Sequence, residues 1–280
     1  MESPNNMQGK ICLVTGATSG IGLATAWQLA RLGATVVITG RDPDRGNAAL
    51  ETIRQRSGSD AIHLLIADFS SLAQTRRLAD EFRSQFPALN VLINNAGILP
   101  PTRQVSEDGY EMQFAVNHLA PFMLTNLLLP LIKTSTPARI ITISSMVHAW
   151  GDIDFTDLQS NRGYNASDVY AMTKLANILF TVELARKLDG SGVTANSLHP
   201  GVINTKLYRN YMDIKGEGEA DEHALETGAA TSVYLATSPE VEGISGKYFS
   251  SSREKTPSTA SQDIATAEQL WRVSEQLVNP

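Results

Sequence analysis

The stretch ICLVTGATSGIG, residues 11–22, joins an apolar strand pattern to the start of a helical pattern through a glycine-rich turn. In that turn Gly16 permits a tight bend, Gly20 lets the backbone approach a bound group, and Gly22 allows the helix to pack closely on the strand. The helix directs free N–H groups and the positive end of its dipole at the turn. The position between a first strand and a first helix therefore favours a cradle for a dinucleotide diphosphate over a turn that merely contains glycines.

Outward from this turn, short apolar runs alternate with longer helical patterns. The strand patterns are ICLVTG, TVVITG, AIHLLIAD, LNVLINNAG, RIITISS, VTANSLHPG and, as a candidate seventh, GKYFS. Strands that are apolar on both faces and separated by helices indicate a parallel sheet that is covered on both sides. We therefore predict a single α/β domain over residues 1–280, a doubly wound Rossmann-type sheet of about seven strands with helices on both faces. A ligand crevice is expected at the carboxyl ends of the strands.

Three segments stand apart from this alternation. Residues 151–168 are polar and separate the fifth strand from the next helix, and residues 206–226 are charged and follow the carboxyl end of the sixth strand. Each fits either a flap over a site or a solvated loop, and we note 206–226 as a possible substrate flap. Residues 253–280 form a C-terminal extension, in which the pattern of 262–277 predicts a helix near the pocket.

The bulk composition excludes several classes of protein. A formal net charge of −6, without any block of basic residues, argues against a nucleic-acid partner. The single cysteine, Cys12, excludes an internal disulfide, and the five histidines show no metal-ligand spacing, so no metal site is predicted. The amino terminus lacks a signal-peptide pattern, and proline or polar residues break every long apolar run. We therefore expect a cytoplasmic protein without a membrane span.

The end of the second strand bears on the choice of cofactor. NAD-binding units commonly place an acidic residue there for the ribose 2′-hydroxyl, whereas an arginine nearby accommodates a 2′-phosphate. Here Gly40 stands in place of the acid and Arg41 follows it, while Asp42 is suited to cap the next helix. The pattern predicts NADP, with NAD less favoured; the alternative is that Arg41 is only a surface charge.

The run VYAMTKLANILF, residues 169–180, places Tyr170 and Lys174 four positions apart on one face of a predicted helix. One interpretation is an ordinary surface pair. The other is a general acid–base, because a lysine ammonium one turn away favours the phenolate and brings the tyrosine pKa toward neutral pH.

Seven motifs in a fixed order decide between these interpretations. They are TGATSGIG at 15–22, Asp68 after the third strand, NNAG at 94–97, Asn117 in the following helix, Ser144-Ser145 ending the fifth strand, Tyr170-x-x-x-Lys174, and PGVINT at 200–205. With them the sequence resembles a classical short-chain dehydrogenase/reductase over nearly its whole length.

The resemblance implies a nicotinamide-dependent oxidoreductase and assigns roles to these residues. Tyr170 is the implied acid–base, Ser145 rather than Ser144 contacts the substrate oxygen, Asn117 holds a proton-relay water, and Lys174 also holds the nicotinamide ribose. The implied catalytic residues are Asn117, Ser145, Tyr170 and Lys174. The implied cofactor-binding residues are Gly16, Thr18, Ser19, Gly20, Ile21, Gly22, Arg41, Asp68, Asn95, Ala96, Gly97, Tyr170, Lys174, Pro200, Gly201, Ile203 and Thr205.

Within the family the sequence is most similar to the retinol dehydrogenase-like branch. The similar segments are DFTDLQ at 154–159, KLANILFTVELARKL at 174–188, VTANSLHPGVINTKL at 193–207 and AEQLWRVSEQL at 267–277. Ser145 and Tyr170 lie 25 positions apart, further than is usual in the family, and the branch carries a similar insertion. We expect residues 151–168 to shape the substrate pocket. Many animal retinol dehydrogenases start with a hydrophobic membrane anchor that this sequence does not show, a departure that counts against a membrane location and against a retinoid substrate.

The predicted activity is hydride transfer between nicotinamide and the carbonyl or alcohol carbon of a small hydrophobic aldehyde, ketone or secondary alcohol. The alternatives are an NAD-dependent alcohol dehydrogenase of the same fold, a cofactor-binding regulatory or scaffold protein without turnover, and an epimerase or dehydratase. The TGxxxGxG spacing and the short region after Thr205 disfavour the last of these. The resemblance also implies a homodimer or homotetramer. The apolar flanks of Tyr170 fit either such an interface or the core; they are Leu175, Ile178, Leu179, Phe180 and Val182.

Overall fold

One eight-stranded sheet organises the chain in a computed structural model that describes residues 6–212 and 220–279. The strands are β1 (Ile11–Val14), β2 (Thr35–Gly40), β3 (Ile62–Ile66), β4 (Val91–Asn94), β5 (Ala138–Ile143), β6 (Val193–His199), β7 (Tyr248–Ser250) and β8 (Arg253–Lys255). Their spatial order is β3-β2-β1-β4-β5-β6-β7-β8, and only the β7–β8 pair is antiparallel. The predicted doubly wound parallel sheet is confirmed.

Helices cover both faces of the sheet. They are α1 (Gly20–Arg31), α2 (Pro43–Ser57), α3 (Leu72–Gln85), α4 (Met112–Phe114), α5 (Ala120–Thr134), α6 (Ala166–Lys187), α7 (Lys206–Tyr211), α8 (Glu222–Thr237) and α9 (Ile264–Val278). Alternate strand residues face opposite layers: Val36 and Ile38 pack with α1, α2 and α8, whereas Val37 packs with the layer of α3, α5, α6 and α9. Both faces are therefore buried, which explains the unbroken apolar runs in the sequence.

The sheet changes direction at β1. The chain runs outward from β1 to β3 on one side and then crosses to β4 on the other side. The carboxyl ends of β1 and β4 therefore lie side by side, and a backbone bond from Thr15 N–H to the Ile93 carbonyl joins them at 3.0 Å. Such a switch point is where open α/β sheets bind their ligands. The glycine turn and the NNAG segment meet here.

The C-terminal helix α9 packs on α6. Leu175 and Leu179 of α6 are buried against Ala267 and Leu270 of α9. Around Trp271 of α9, two phenylalanine rings complete the contact; they are Phe122 at 4.9 Å and Phe180 at 5.8 Å between ring centres. Three of the apolar flanks of Tyr170, Leu175, Leu179 and Phe180, are therefore covered by α9.

Three sequence expectations need adjustment. The eighth strand, β8, was not foreseen because its residues REK are charged and exposed, as suits an edge strand. The predicted flap 206–226 is partly helical, since α7 lies within it and α8 begins at Glu222, while its residues 213–219 lie outside the described residues. The helical stretch Met112–Thr134 is long and apolar enough to cross a membrane, but 67% of its most apolar part is buried in the fold, so it is weak evidence for a span.

Candidate active site

Two consecutive serines follow β5 in different surroundings. Ser144 is buried, and its hydroxyl donates a 2.7 Å hydrogen bond to the carbonyl oxygen of Lys174. Ser145 is half-buried and begins the 3₁₀ turn Met146–Trp150, where its Oγ accepts from the N–H of Val147 at 3.4 Å. Within the described residues no acceptor takes the hydroxyl hydrogen of Ser145. Ser144 therefore belongs to the framework, and Ser145 is able to donate to a bound oxygen.

Helix α6 brings Tyr170 and Lys174 together inside the protein. It begins at Ala166 because the Asn165 side chain accepts hydrogen bonds from two N–H groups of the first turn. Tyr170 is 6% exposed and Lys174 is 2% exposed. The Nζ atom of Lys174 lies 5.3 Å from the centre of the Tyr170 ring. The interpretation of a surface pair is therefore wrong.

The ammonium of Lys174 is anchored to the end of β5. Its Nζ donates to the carbonyl oxygen of Ile143 at 3.1 Å, and Nδ2 of Asn177 donates to the same oxygen at 3.2 Å. Burial lowers the pKa of Lys174 from 10.5 to about 8. At neutral pH the buried group is thus still charged but close to its titration range. A cation in that position stabilises a phenolate on the neighbouring tyrosine.

Asn117 lies on a π-helical turn, Ala115–Leu119, between α4 and α5. Its side chain is fully buried; Oδ1 accepts from Ile98 N–H at 2.8 Å, and Nδ2 donates to the Ile98 carbonyl at 3.0 Å and to Thr173 Oγ1 at 3.1 Å. It therefore joins the loop after β4 to the helix that carries Tyr170. Single π-helical turns occur frequently at functional sites, because the wider turn frees backbone groups.

Gly97 adjoins both Asn117 and Lys174. A Cβ atom added at Gly97 would lie 3.5 Å from Oδ1 of Asn117 and 3.6 Å from Nζ of Lys174. Two polar atoms from different elements therefore border the same small space, which a side chain at position 97 would begin to fill.

The glycine turn is locked to the end of β4. Asn95 donates from Nδ2 to the carbonyl oxygens of Thr15 at 2.7 Å and Gly16 at 3.1 Å. A Cβ at Gly16 would lie 2.8 Å from the Cα of Ala96, and one at Gly22 would overlap the Asn95 side chain. Both glycines are therefore required by close approach.

The mouth of this turn is open. Ser19 precedes α1, is exposed, and makes no capping bond from its side chain within the described residues. Gly20 has a φ of +59°, and a Cβ there would meet only the methyl group of Thr205, at 3.5 Å. The first N–H groups of α1 are thus accessible donors without intrahelical partners. These residues fit the diphosphate of a dinucleotide.

The end of β2 has no room for an acidic side chain. A Cβ at Gly40 would overlap the methyl group of Thr18, which covers this position. Asp42 accepts hydrogen bonds from two N–H groups of α2, so it is the helix cap that the sequence indicated. Arg41 is exposed and makes no hydrogen bond or ion pair with any described residue.

Asp68 lies at the carboxyl end of β3, beside the end of β2. Its Oδ1 accepts from the N–H of Ser70 at 2.9 Å, and its own N–H donates to Gln74 at 3.1 Å. Ala67 next to it donates to the carbonyl of Gly40 at 3.0 Å. Asp68 therefore borders the same side of the crevice as Arg41, with its backbone held by the turn.

The loop after β6 closes the other side of the crevice. Pro200 and Gly201 lead out of the strand, and Gly201 has a φ of +92°. A Cβ at Gly228 of α8 would lie 2.7 Å from Cγ1 of Ile203 and 3.1 Å from Cγ1 of Ile21. The missing side chain at Gly228 thus lets α8 support both the glycine turn and the β6 loop.

Apolar side chains surround Tyr170. Leu99 and Val147 are buried with it, and Leu207 of α7 packs against the same cluster. At the outer edge, Trp150 is 69% exposed, so its indole is not part of the core. Two further apolar residues at the ends of β5 and β6 are exposed, Met146 and Val202. The wall beside the tyrosine is apolar.

Comparisons with known proteins agree with this geometry. A sequence profile described as short chain dehydrogenase matches residues 10–215. The chain belongs to the short-chain dehydrogenase family. It is 44% identical over 295 residues to retinol dehydrogenase 14 of Homo sapiens, covering 98% of this chain and 88% of that protein.

Solved structures of the short-chain dehydrogenase fold superpose closely. An uncharacterised protein from Mycobacterium paratuberculosis gives a TM-score of 0.81 at 33% identity, over 98% of this chain and 95% of that one. RhlG of Pseudomonas aeruginosa, in an active-site complex with NADP, gives 0.70 at 27% identity, over 89% and 97%. This short-chain dehydrogenase is accordingly an NAD(P)-dependent oxidoreductase that acts on CH–OH groups.

Two residues of this site could not be predicted from the sequence. Gly228 lies in a helix, and only its contacts with two loops reveal why it lacks a side chain. His148 follows Ser145 by three positions, and its ring nitrogen lies 2.7 Å from the carbonyl oxygen of that serine. The one signal for His148 is this three-residue spacing, which places it on the same turn.

Proposed function

We propose that this protein is an NADP-dependent oxidoreductase that transfers hydride between nicotinamide and a carbonyl or alcohol carbon of a small, apolar substrate. The observation that supports this proposal best is the buried Lys174 ammonium, which lies 5.3 Å from the centre of the Tyr170 ring and beside the serine turn after β5. Burying a cation without a countercharge costs free energy, so its retention indicates a function. Here the ammonium stabilises the phenolate form of Tyr170.

The cofactor, when bound, supplies or accepts the hydride. In the reducing direction, Ser145 donates a hydrogen bond to the substrate oxygen and stabilises the charge that develops on it. Tyr170 gives that oxygen its proton, and Lys174 stabilises the resulting phenolate. Asn117 and Lys174 border the space at Gly97, which supports a proton path from the tyrosine toward solvent. In the oxidising direction the proton returns to Tyr170.

Two observations support NADP over NAD. The methyl group of Thr18 occupies the place of the acidic side chain that would bind a ribose 2′-hydroxyl. Arg41 is exposed next to it without a partner among the described residues, so its guanidinium is available for a 2′-phosphate. A relative of known structure, RhlG, binds NADP.

The apolar surroundings of Tyr170 support an apolar substrate. Leu99 and Val147 are buried with Tyr170, and Leu207 packs against the same cluster. Human retinol dehydrogenase 14, to which the chain is similar, is named for an apolar alcohol, retinol. We accordingly assign aldehydes, ketones or secondary alcohols with apolar substituents as the substrate class.

The activity is tested by following NADPH absorbance with a panel of apolar aldehydes and ketones. Replacing Tyr170 with Phe is expected to lower kcat by about 10²- to 10⁴-fold while NADPH binding is kept, since only the proton donor is removed. The matched control is Tyr234→Phe, which removes a phenol on α8 that donates a hydrogen bond to Glu240. Cofactor binding without turnover of any carbonyl or alcohol would instead favour the scaffold alternative.

The cofactor preference is tested by fluorescence titration with NADPH and NADH. Arg41→Ala should weaken NADPH binding by about tenfold to a hundredfold, the typical loss of a charged hydrogen-bond partner, and leave NADH unchanged. Arg272→Ala, an exposed arginine on α9, is the control. Equal affinities of the wild type for the two cofactors would contradict the assignment and favour an NAD-dependent alcohol dehydrogenase.

A further inference from the structure

His148 occupies a buried position directly behind Ser145. It is 4% exposed and lies in the 3₁₀ turn Met146–Trp150, which Ser145 begins. Its Nδ1 atom lies 2.7 Å from the carbonyl oxygen of Ser145, and its Nε2 atom lies 3.1 Å from the backbone nitrogen of Ser258. One imidazole thus connects the serine turn with the C-terminal extension.

The two partners determine the form of the ring. The Ser145 carbonyl can only accept a hydrogen bond and the Ser258 N–H can only donate one, so Nδ1 carries the hydrogen and Nε2 is the acceptor. Only the neutral ring satisfies both. Burial lowers the pKa of His148, which favours its neutral imidazole. The pKa of the nearby His199 is also lowered, by burial and by His148, so that ring is favoured in its neutral form as well.

Packing holds the ring in this orientation. The Tyr248 ring of β7 meets it edge-on, with 4.9 Å between the ring centres. At the far end of the turn, Gly151 lies so close to α6 that a Cβ there would overlap the carbonyl group of Ala171. Between these two supports the turn exposes Met146 and Trp150 to solvent. Val147 and His148 are therefore the inward-facing side chains of this turn, and His148 is the one that hydrogen-bonds the Ser145 carbonyl.

We propose that His148 is a positioning residue. Its imidazole fixes the Ser145 turn by a hydrogen bond to the Ser145 carbonyl oxygen, and the backbone N–H of Ser258 fixes the imidazole by a second hydrogen bond. The C-terminal extension thereby takes part in placing the serine hydroxyl, although it contributes no side chain to the reaction. This inference rests on the proposed role of Ser145. A small displacement of that hydroxyl weakens a hydrogen bond that forms fully only in the transition state, so kcat is the affected quantity.

The extension offers a matched pair of variants. Ser258 has a φ of −60°, close to the fixed φ of proline, so Ser258→Pro removes the N–H donor with little change in the backbone. Ser258→Ala keeps the donor and loses only the hydroxyl contact with Ser261. We expect Ser258→Pro to lower kcat by about tenfold with an unchanged KM for NADPH, and Ser258→Ala to behave as wild type.

The histidine offers a second pair. His148→Asn can place an amide nitrogen near the Nδ1 position and keep the bond to Ser145, whereas His148→Gln reaches the Nε2 position and loses it. Asn should therefore retain more of kcat than Gln. Asn90→Ala, which removes side-chain bonds to Ile11 N–H and the Ser135 carbonyl at the amino-terminal ends of the central strands, controls for lost stability. If kcat merely follows the melting temperature across all these variants, His148 is a structural residue and the proposal is overturned.

A readout independent of turnover separates this inference from the proposed function. The amides of His148 and Gly151 bond within the turn, to Ser145 and His148 carbonyls at 3.2 and 3.1 Å. Their hydrogen exchange, measured on the peptide 144–151, should accelerate in His148→Gln and Ser258→Pro but not in Ser258→Ala. If hydrogen exchange is unchanged in all three variants, the proposal that His148 attaches the Ser145 turn to Ser258 is overturned. If exchange accelerates in His148→Gln and Ser258→Pro while the wild type reduces no carbonyl, the attachment is retained and the proposed function is rejected instead.

Discussion

Lys174 donates a hydrogen bond from Nζ to the carbonyl oxygen of Ile143 at 3.1 Å, so a helix side chain is attached to the last residue of β5. The serine turn starts two residues further on. The bond therefore fixes the distance between the helix that carries Tyr170 and the strand end that carries Ser145. It also holds a cation in a site from which water is excluded, and this has consequences for stability.

Replacing Lys174 with Met is expected to raise the free energy of unfolding at pH 7 and to abolish turnover. The folded pKa of about 8 lies below the ordinary 10.5, so the unfolded chain binds the proton more tightly. One pKa unit corresponds to about 1.4 kcal/mol, so the buried cation costs on the order of 3 kcal/mol at pH 7. The cost falls as pH rises through 8 and disappears above 10.5. Urea unfolding of the cofactor-free wild type and Lys174→Met at pH 7 and pH 10.5 measures this difference in the free energy of unfolding.

The control for this measurement is Lys133→Met, which removes an exposed ammonium from α5. Because this side chain is exposed, its replacement should change the free energy of unfolding by no more than about 0.5 kcal/mol. A Lys174→Met protein that is less stable than the wild type at pH 7 would show that the hydrogen bond to Ile143 outweighs the burial of the charge.

Gly97→Ala is expected to fold normally and to slow proton transfer. The added methyl group would lie in ordinary contact range, 3.5 Å from Asn117 Oδ1 and 3.6 Å from Lys174 Nζ, in the space that both atoms border. We expect kcat to fall and its solvent deuterium isotope effect to grow, with the melting temperature unchanged. Ser84→Ala, an exposed substitution on α3, is the control. An unchanged kcat would exclude a proton path through this space.

Gly40→Asp alone should fail to create an NAD-preferring enzyme, because the new Cβ overlaps the Thr18 methyl group. The protein is expected to lose stability and to bind both cofactors poorly. The double variant Thr18→Gly with Gly40→Asp removes the overlap and should then prefer NADH, as the carboxylate reaches the ribose hydroxyl. Titration with both cofactors and thermal melting distinguish the two variants. NADH preference in the single variant would show that Thr18 moves freely.

Trp271→Ala should destabilise the protein by about 3–5 kcal/mol, the usual range for removing a buried tryptophan. Trp271 is 7% exposed and contacts the rings of Phe122 and Phe180. Trp150→Ala is the matched control, because that indole is 69% exposed and its loss should change stability by no more than about 0.5 kcal/mol. Chemical unfolding monitored by circular dichroism gives both values. Equal effects would mean that α9 contributes little to the core.

Much of the fold could be predicted because its signals are local. The glycine turn, the α2 cap at Asp42 and the spacing of Tyr170 and Lys174 each follow from residues within one strand or one helical turn. The apolar runs gave the parallel sheet because both of its faces are buried. The C-terminal helix was also recognisable, and it begins and ends within two residues of the predicted 262–277.

What could not be predicted depends on pairs of residues far apart in the chain. Nothing local shows that Leu175 and Leu179 are covered by α9 rather than by another subunit. Nothing local connects His148 with Ser258, which lies 110 positions later. The charges of β8 carry no strand pattern at all. The cytoplasmic location and the homodimer or homotetramer stay predictions.

The packing of α9 on α6 has a consequence for synthesis. Residues 264–278 are made after every other element of the described fold, yet they cover Leu175, Leu179 and Phe180 on the helix that carries the reactive lysine. A chain still attached to the ribosome therefore holds a nearly complete sheet with an uncovered apolar helix beside it. Such a surface attracts chaperones and other nascent chains. The docking of α9 on α6 is then the step that removes this apolar surface from solvent.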